Sequence, residues 1–269
     1  MIIELLNGTK YDIENYNLKR LSHNIPSAVI EHETATIEGY HDIITRSKIN
    51  NRVITVELLY TTYDIHDYYL LREQINDLFL REEAFYIIFK RENYKRWLVK
   101  TEGQFELPAH PFMNSFTVSF ITINPFAESV VDTDNVKKEW DIDIWSWNNS
   151  IKWDEDLQYT FKTNTFTIKN VGNVPIDPRI NSLDITLTGE FDSKITIKNI
   201  TTNDIYEYNG ALTSSDTLLL TGVKTLKNNV SVFKDTNKKL ITLGVGENDF
   251  VIEGGTVTNI DFNFRFLYK

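Results

Sequence analysis

One segment of this 269-residue chain carries a clear helical period, and almost everything after it reads as strand. Between Asp64 and Glu82 the apolar side chains Tyr68, Leu71, Ile75, Leu78 and Phe79 recur at steps of three and four. Arg72, Glu73, Asn76 and Asp77 fill the opposite side. Asp64 is placed to cap the first turn, and Asp67 favours the positive end of the helix dipole. No second segment of that quality lies between Glu83 and Lys269. The predicted fold is therefore mainly β with one α-helix, packed on a sheet through Leu71, Ile75, Leu78 and Phe79.

The strand readings follow from period-two alternation and turn residues. In the first half they cover Met1–Leu6, Ala28–His32, Thr34–Gly39, Arg52–Tyr60, Ala84–Phe89, Arg96–Val99 and Ser115–Ile123. Asn124-Pro125 ends the last of these, because proline has no N–H to donate. In the second half the strands are Thr165–Lys169, Leu183–Thr188, Lys194–Asn199, Ile205–Tyr208, Thr217–Leu220, Val230–Phe233, Leu240–Leu243, Asp249–Ile252 and Asn259–Tyr268. Breaks are expected at Asn209-Gly210, Asn228-Asn229, Gly244 to Gly246 and Gly254-Gly255. Short strands at this spacing predict a sandwich or barrel. Phe262, Phe264, Phe266 and Tyr268 should share one face of the final strand.

Composition removes several function classes. The chain has 28 basic and 38 acidic residues, net −10, with each side of Val131 near −5. Contact with nucleic acid through phosphates is not its business. With no cysteine, disulfides and thiolate chemistry are excluded. The first residues lack the basic and apolar regions of a signal peptide, and no apolar run reaches the ~18 residues of a membrane span. No membrane contact, and assembly in a cytoplasm, are the expectations.

The search for chemistry finds no active site. There is no Gly-x-Ser-x-Gly. His23, His32 and His41 are spaced by nine, an odd step that alternates faces in a strand, so no metal site is assigned. The carboxylates Asp141/Asp143 and Asp154/Glu155/Asp156 read as solvated loop acids. No catalytic residue, metal or cofactor is expected. Residues 128–158 hold Trp140, Trp145, Trp147 and Trp153, four of the five tryptophans. Indoles stack on sugars and anchor interfaces, so Trp145 and Trp147 are the candidate partner or glycan contacts; sealing a domain seam is the other reading, and the favoured one.

The order of elements resembles the distal tail proteins of long-tailed bacteriophages, the siphovirus tail family. The resemblance rests on the helix Asp64–Glu82 between the strand Arg52–Tyr60 and the aromatic run Phe85–Phe89. It also rests on the strand Phe116–Phe126 with its Asn-Pro-aromatic turn, on Lys239–Ile252 with its Gly-Glu-Asn turn, and on the aromatic strand Asp261–Tyr268. It implies a β-barrel-like, split-barrel domain over residues 1–133 carrying the helix, and a galectin-like β-sandwich over residues 134–269. It further implies a homo-hexameric ring at the tail tip of a virion, joined to the tail tube protein on one side. On the other side would sit the tail-tip hub, a tail-associated lysin or fibre protein, with receptor-binding or baseplate proteins carried outward. DNA would pass through the lumen without specific recognition. The alternative is a carbohydrate-binding β-sandwich protein that contacts the host surface, and a cell-wall hydrolase is a third reading.

Overall fold

The computed structural model describes residues 1–36, 41–110, 112–135 and 157–269. The chain divides into two units, Met1–Ala127 and Glu128–Lys269.

The first unit contains β1 (Ile2–Leu5), β2 (Lys10–Asp12), β3 (Leu18–Asn24), β4 (Ile30–Ala35), β5 (Ile43–Ile49), β6 (Val53–Thr61), α1 (Ile65–Phe79), β7 (Phe85–Ile88), β8 (Lys95–Glu102) and β9 (Met113–Thr122). Seven of these strands follow one another in the order β2-β1-β7-β8-β9-β6-β3, so the barrel-like expectation takes the form of an open antiparallel path with edges at β2 and β3. Strand β6 alternates as its sequence predicts, with Ile54, Val56, Leu58 and Tyr60 fully enclosed. Opposite them in register on β9 stand Phe120, Val118 and Phe116, which continue the same apolar face.

That face receives the helix. Asp64 caps it, its carboxylate accepting from the Asp67 amide at 2.8 Å. Leu71, Ile75, Leu78 and Phe79 are at most 4% exposed, as the helical period predicts. Tyr68 meets Tyr60 at 5.8 Å between rings, and Phe79 meets Phe120 at 5.8 Å. The Tyr68 hydroxyl donates to the Leu107 carbonyl at 2.9 Å, and the Tyr60 hydroxyl donates to that of Pro108. These bonds tie the segment before β9 over the start of the helix. The helix ends at Phe79 rather than Glu82, with a last amide bond from Leu80 to the Asn76 carbonyl.

The second unit contains all but the first residue of β10 (Ala127–Ser129), then β11 (Thr160–Phe161), β12 (Thr165–Asn170), β13 (Leu183–Asn199), β14 (Asp204–Tyr208), β15 (Leu218–Thr221), β16 (Lys224–Lys227), β17 (Val230–Ser231), β18 (Gly246–Phe264) and β19 (Leu267–Tyr268). Its head is tied to its tail. The Ser129 amide donates to the Phe266 carbonyl, and the Thr133 hydroxyl bridges Phe262 and Phe264 on the last long strand. Those bonds draw residues 128–133 into this unit.

Two long strands organise the unit. β13 and β18 pair with each other, and each also pairs with two different short strands: β13 with β14 and β15, β18 with β11 and β12. Phe250 and Phe262 lie on the same strand, where a straight ladder would hold them about 40 Å apart. Their rings are 5.0 Å apart. The strand therefore folds over on itself, and its two halves face each other as layers. The Tyr206 hydroxyl of β14 reaches Thr225 of β16 at 3.1 Å across the same gap. The enclosed filling includes Phe166, Phe250, Phe262 and Ile197. This is a two-layer β-sandwich.

The fold-over sits at Gly254-Gly255, which the sequence reading took for a break between strands. It is a bend inside β18, where the ladder to β13 shifts register. Gly254 has φ +107°, and a Cβ there would lie 1.9 Å from the Lys194 carbonyl oxygen. A Cβ on Gly255 would lie 2.1 Å from that of Glu190. Leu240–Leu243 is a second correction: it is no strand, and Leu243 forms a single bridge with Ile176. Asn228-Asn229 is the hairpin turn its sequence predicts, with both residues at positive φ between β16 and β17.

Two measurements check this architecture. Ile75→Ala is expected to lower unfolding free energy by about 2–5 kcal/mol in a denaturant titration. Gly254→Ala should cost about 1–3 kcal/mol from the backbone conformation alone, and more from the clash. A melting temperature unchanged by Gly254→Ala would show that the bend is not needed there.

Candidate functional site

The feature of the first unit with no internal explanation is the hairpin of β4 and β5. It forms its own two-stranded sheet, and all of its strand residues are exposed. Register fixes its two faces. Ile30 pairs with Ile49, His32 with Ser47 and Thr34 with Ile44, giving one uncharged face. Glu31 pairs with Lys48, Glu33 with Arg46 and Ala35 with Ile43 on the other, where opposite charges stand across the ladder. His32 Nδ1 and Ser47 Oγ are 2.8 Å apart, which holds the first register in place. Ile30 is 55% and Ile44 58% exposed. An isolated two-stranded hairpin is marginal in water. An uncharged face with none of the described residues over it has the character of a contact surface.

Its base is anchored by Arg52. The guanidinium donates to the Pro125 carbonyl at 2.8 Å, leans toward that of Pro26 at 3.4 Å, and lies 5.1 Å from the Trp97 ring centre. Its amide donates to Thr122 at 3.0 Å. One buried side chain thus fixes both strands that lead into the hairpin. Where the alternation predicts two strands, Ala28–His32 and Thr34–Gly39, the structure has the single strand β4, and β5 is not predicted at all. The signal was the spacing of Ile43, Ile44 and Ile49 around polar residues, too short and mixed to stand out.

The sequence-predicted residues are dispersed. Trp145 and Trp147 lie outside the described residues, as do Trp140 and Trp153 and the acids Asp141, Asp143, Asp154, Glu155 and Asp156. His23 stacks on Phe89 at 4.1 Å and meets Arg20 at 2.6 Å, while His32 sits on the hairpin. Burial and Arg20 hold the His23 imidazole below its ordinary pKa, which suits an acceptor of the Arg20 proton. Among the described residues no three His, Asp or Glu side chains are grouped to hold a metal.

The second unit has a polar hollow of about 430 Å³ lined by Thr133, Asp134, Tyr159, Thr160 and Asp261. Sequence reasoning missed this carboxylate pair, because its members are 127 positions apart and only the fold joins them. The Asn263 amide donates to Asp134, and the Thr160 hydroxyl donates to Asp261. Partial burial, then the charges of Asp261 and Asp132, push the Asp134 carboxyl above the usual range. A carboxyl raised on folding contributes stability below its unfolded pKa, and that contribution is lost as pH rises through the folded one. Asp134→Asn should therefore raise the melting temperature near pH 7 and leave it unchanged near pH 3. Equal shifts at both would rule out charge as the cause.

Comparison with known proteins gives a family model and several similar solved structures. Residues 6–122 match the family model described as phage tail protein RIFT-related domain. No curated protein matches the sequence significantly. The crystal structure of the Dit protein of phage SPP1, described as a paradigm of the hub adsorption apparatus in phages that infect Gram-positive bacteria, superposes with a TM-score of 0.70. It covers 98% of both chains at 14% identity. A chain of the phage p2 baseplate in its activated conformation with strontium aligns with a TM-score of 0.47 at 10% identity, over 98% of this chain and 96% of that one. The whole chain thus shares the fold of the SPP1 protein, and residues 6–122 of it match the phage tail protein RIFT-related domain.

Proposed function

We propose that this protein is a structural hub subunit of a long-tailed phage tail tip, acting by assembly rather than by catalysis. The single observation that carries the reading is the uncovered hairpin on a phage tail domain. Its uncharged face needs a second surface, and a head-to-tail contact that closes gives a ring. The expected ring is a homo-hexamer with the tail tube on one side and the tail-tip hub on the other. The sandwich unit would carry receptor-binding or baseplate proteins outward. The whole chain's net charge of −10 suits a subunit past which DNA moves without being held.

Light scattering on the purified full chain tests this. A mass of six times 31.4 kDa is expected. A strict monomer at high concentration would count against the ring. On cell-wall zymograms no clearing is expected, and a clear band would move the protein into the hydrolases.

A further inference from the structure

The sequence contains two Asn-Gly pairs, Asn7-Gly8 and Asn209-Gly210. In such a pair no side chain crowds the glycine nitrogen, and the backbone is free to bring it to the asparagine's own carboxamide carbon. The reaction then depends on what holds the two groups, and the fold holds the two pairs differently.

Asn7-Gly8 lies in the turn between β1 and β2, with Gly8 at φ +85°. The Gly8 amide donates to the Leu5 carbonyl at 2.9 Å, and the Asn7 side-chain oxygen accepts from the Thr9 amide at 3.0 Å. Both reacting groups are engaged. Asn209-Gly210 follows Tyr208, the last residue of β14. Asn209 is exposed, and neither its carboxamide nor the Gly210 amide has a hydrogen-bond partner among the described residues. The link is held only on either side of them. The Asn209 amide donates to the Asp235 carbonyl at 2.8 Å, the Ala211 carbonyl accepts from Lys227 at 2.9 Å, and Leu212 exchanges two backbone bonds with Phe191. Packing fixes the second residue of the pair, because a Cβ on Gly210 would collide with the Tyr208 ring.

We propose that Asn209 is a site of spontaneous deamidation in the folded protein. The Gly210 nitrogen gives its proton to solvent and attacks the Asn209 side-chain carbon. A C–N bond forms, a succinimide ring closes, and the carboxamide nitrogen leaves as ammonia. Water then adds to one ring carbonyl and breaks one of the two C–N bonds. Opening at the side-chain carbonyl leaves an aspartate. Opening at the backbone carbonyl leaves an isoaspartate, with an extra methylene in the main chain. One water is taken up and one ammonia released, and nothing is oxidised or reduced. Each event adds a negative charge at the exposed end of β14. The isoaspartyl product also lengthens the chain between two fixed points, Tyr208 paired with Ile195 and Leu212 bonded to Phe191.

Incubating the full chain at mildly alkaline pH, with peptide mass spectrometry at intervals, tests this. Asn209 is expected to convert, mainly to isoaspartate, and in water enriched in heavy oxygen each converted residue should take up one heavy atom. Asn7 should convert roughly tenfold more slowly, because two hydrogen bonds must open first. In urea, where neither pair is held, the two rates should meet. Ion exchange should show an acidic form that grows with time in the wild type and is absent from Asn209→Ser. An Asn209 that stays intact in the folded chain while it converts in urea would overturn the proposal. So would an Asn7 that converts as fast as Asn209 in the folded chain, since the hydrogen bonds would then not select the site. An acidic form growing equally in Asn209→Ser would place the change elsewhere.

Discussion

The enclosed face of β6 is the constraint on which the first unit depends. Ile54, Val56, Leu58 and Tyr60 leave no apolar surface of that face in water, and the helix is the element that covers them. Once the helix lies there, held by Tyr68 on Tyr60 and Phe79 on Phe120, the strand has no freedom to slip. A slip of one residue would turn four core side chains outward. The position of the strand then fixes what its two ends present. At Val53 it meets the hairpin through Arg52, and at Thr61 it leads to the helix cap at Asp64. Packing, not loop chemistry, sets the distance between those two ends.

The second unit solves the same problem with a different device. It has no α-helix among its described residues, so its sheet must cover itself. Two glycines whose missing Cβ atoms make room for the Lys194 and Glu190 carbonyls let β18 fold over, and β13 follows it. Phe250 then lands on Phe262, and Phe166 completes the cluster against both. Aromatic rings bury large areas with few rotamers to lose, which makes them effective filling where two layers meet at a bend.

The helix and its buried set were legible residue by residue, because a period of 3.6 over fifteen residues is a strong signal. So was the alternation of β6 and β9, and so were the buried phenylalanines at 262, 264 and 266, but the final strand breaks after Phe264 and Leu267 is buried in place of Tyr268. The fold-over at Gly254-Gly255 was not. Paired glycines mark turns and bends alike, and only the approach of another strand's carbonyls separates the two. The hairpin was half legible, since a strand exposed on both faces has no core to impose a clean alternation. The contact surfaces could not be read as surfaces at all. Exposed apolar residues scatter through any chain, and Ile30 and Ile49 become neighbours only after the hairpin has paired.

An uncovered hairpin invites indiscriminate pairing, and this one is built against it. Polar residues His32, Ser47 and Thr34 interrupt its isoleucines, so no long apolar run is offered to a passing strand. Charges of both signs occupy its other face, which makes stacking of two hairpins back to back costly in desolvation. The chain's excess of negative charge keeps free copies apart at long range. What remains favourable is a short-range apolar contact of limited area that needs a matching uncharged surface. A subunit that must reach a specific neighbour before it meets a wrong one requires that combination of weak general attraction and one matched site.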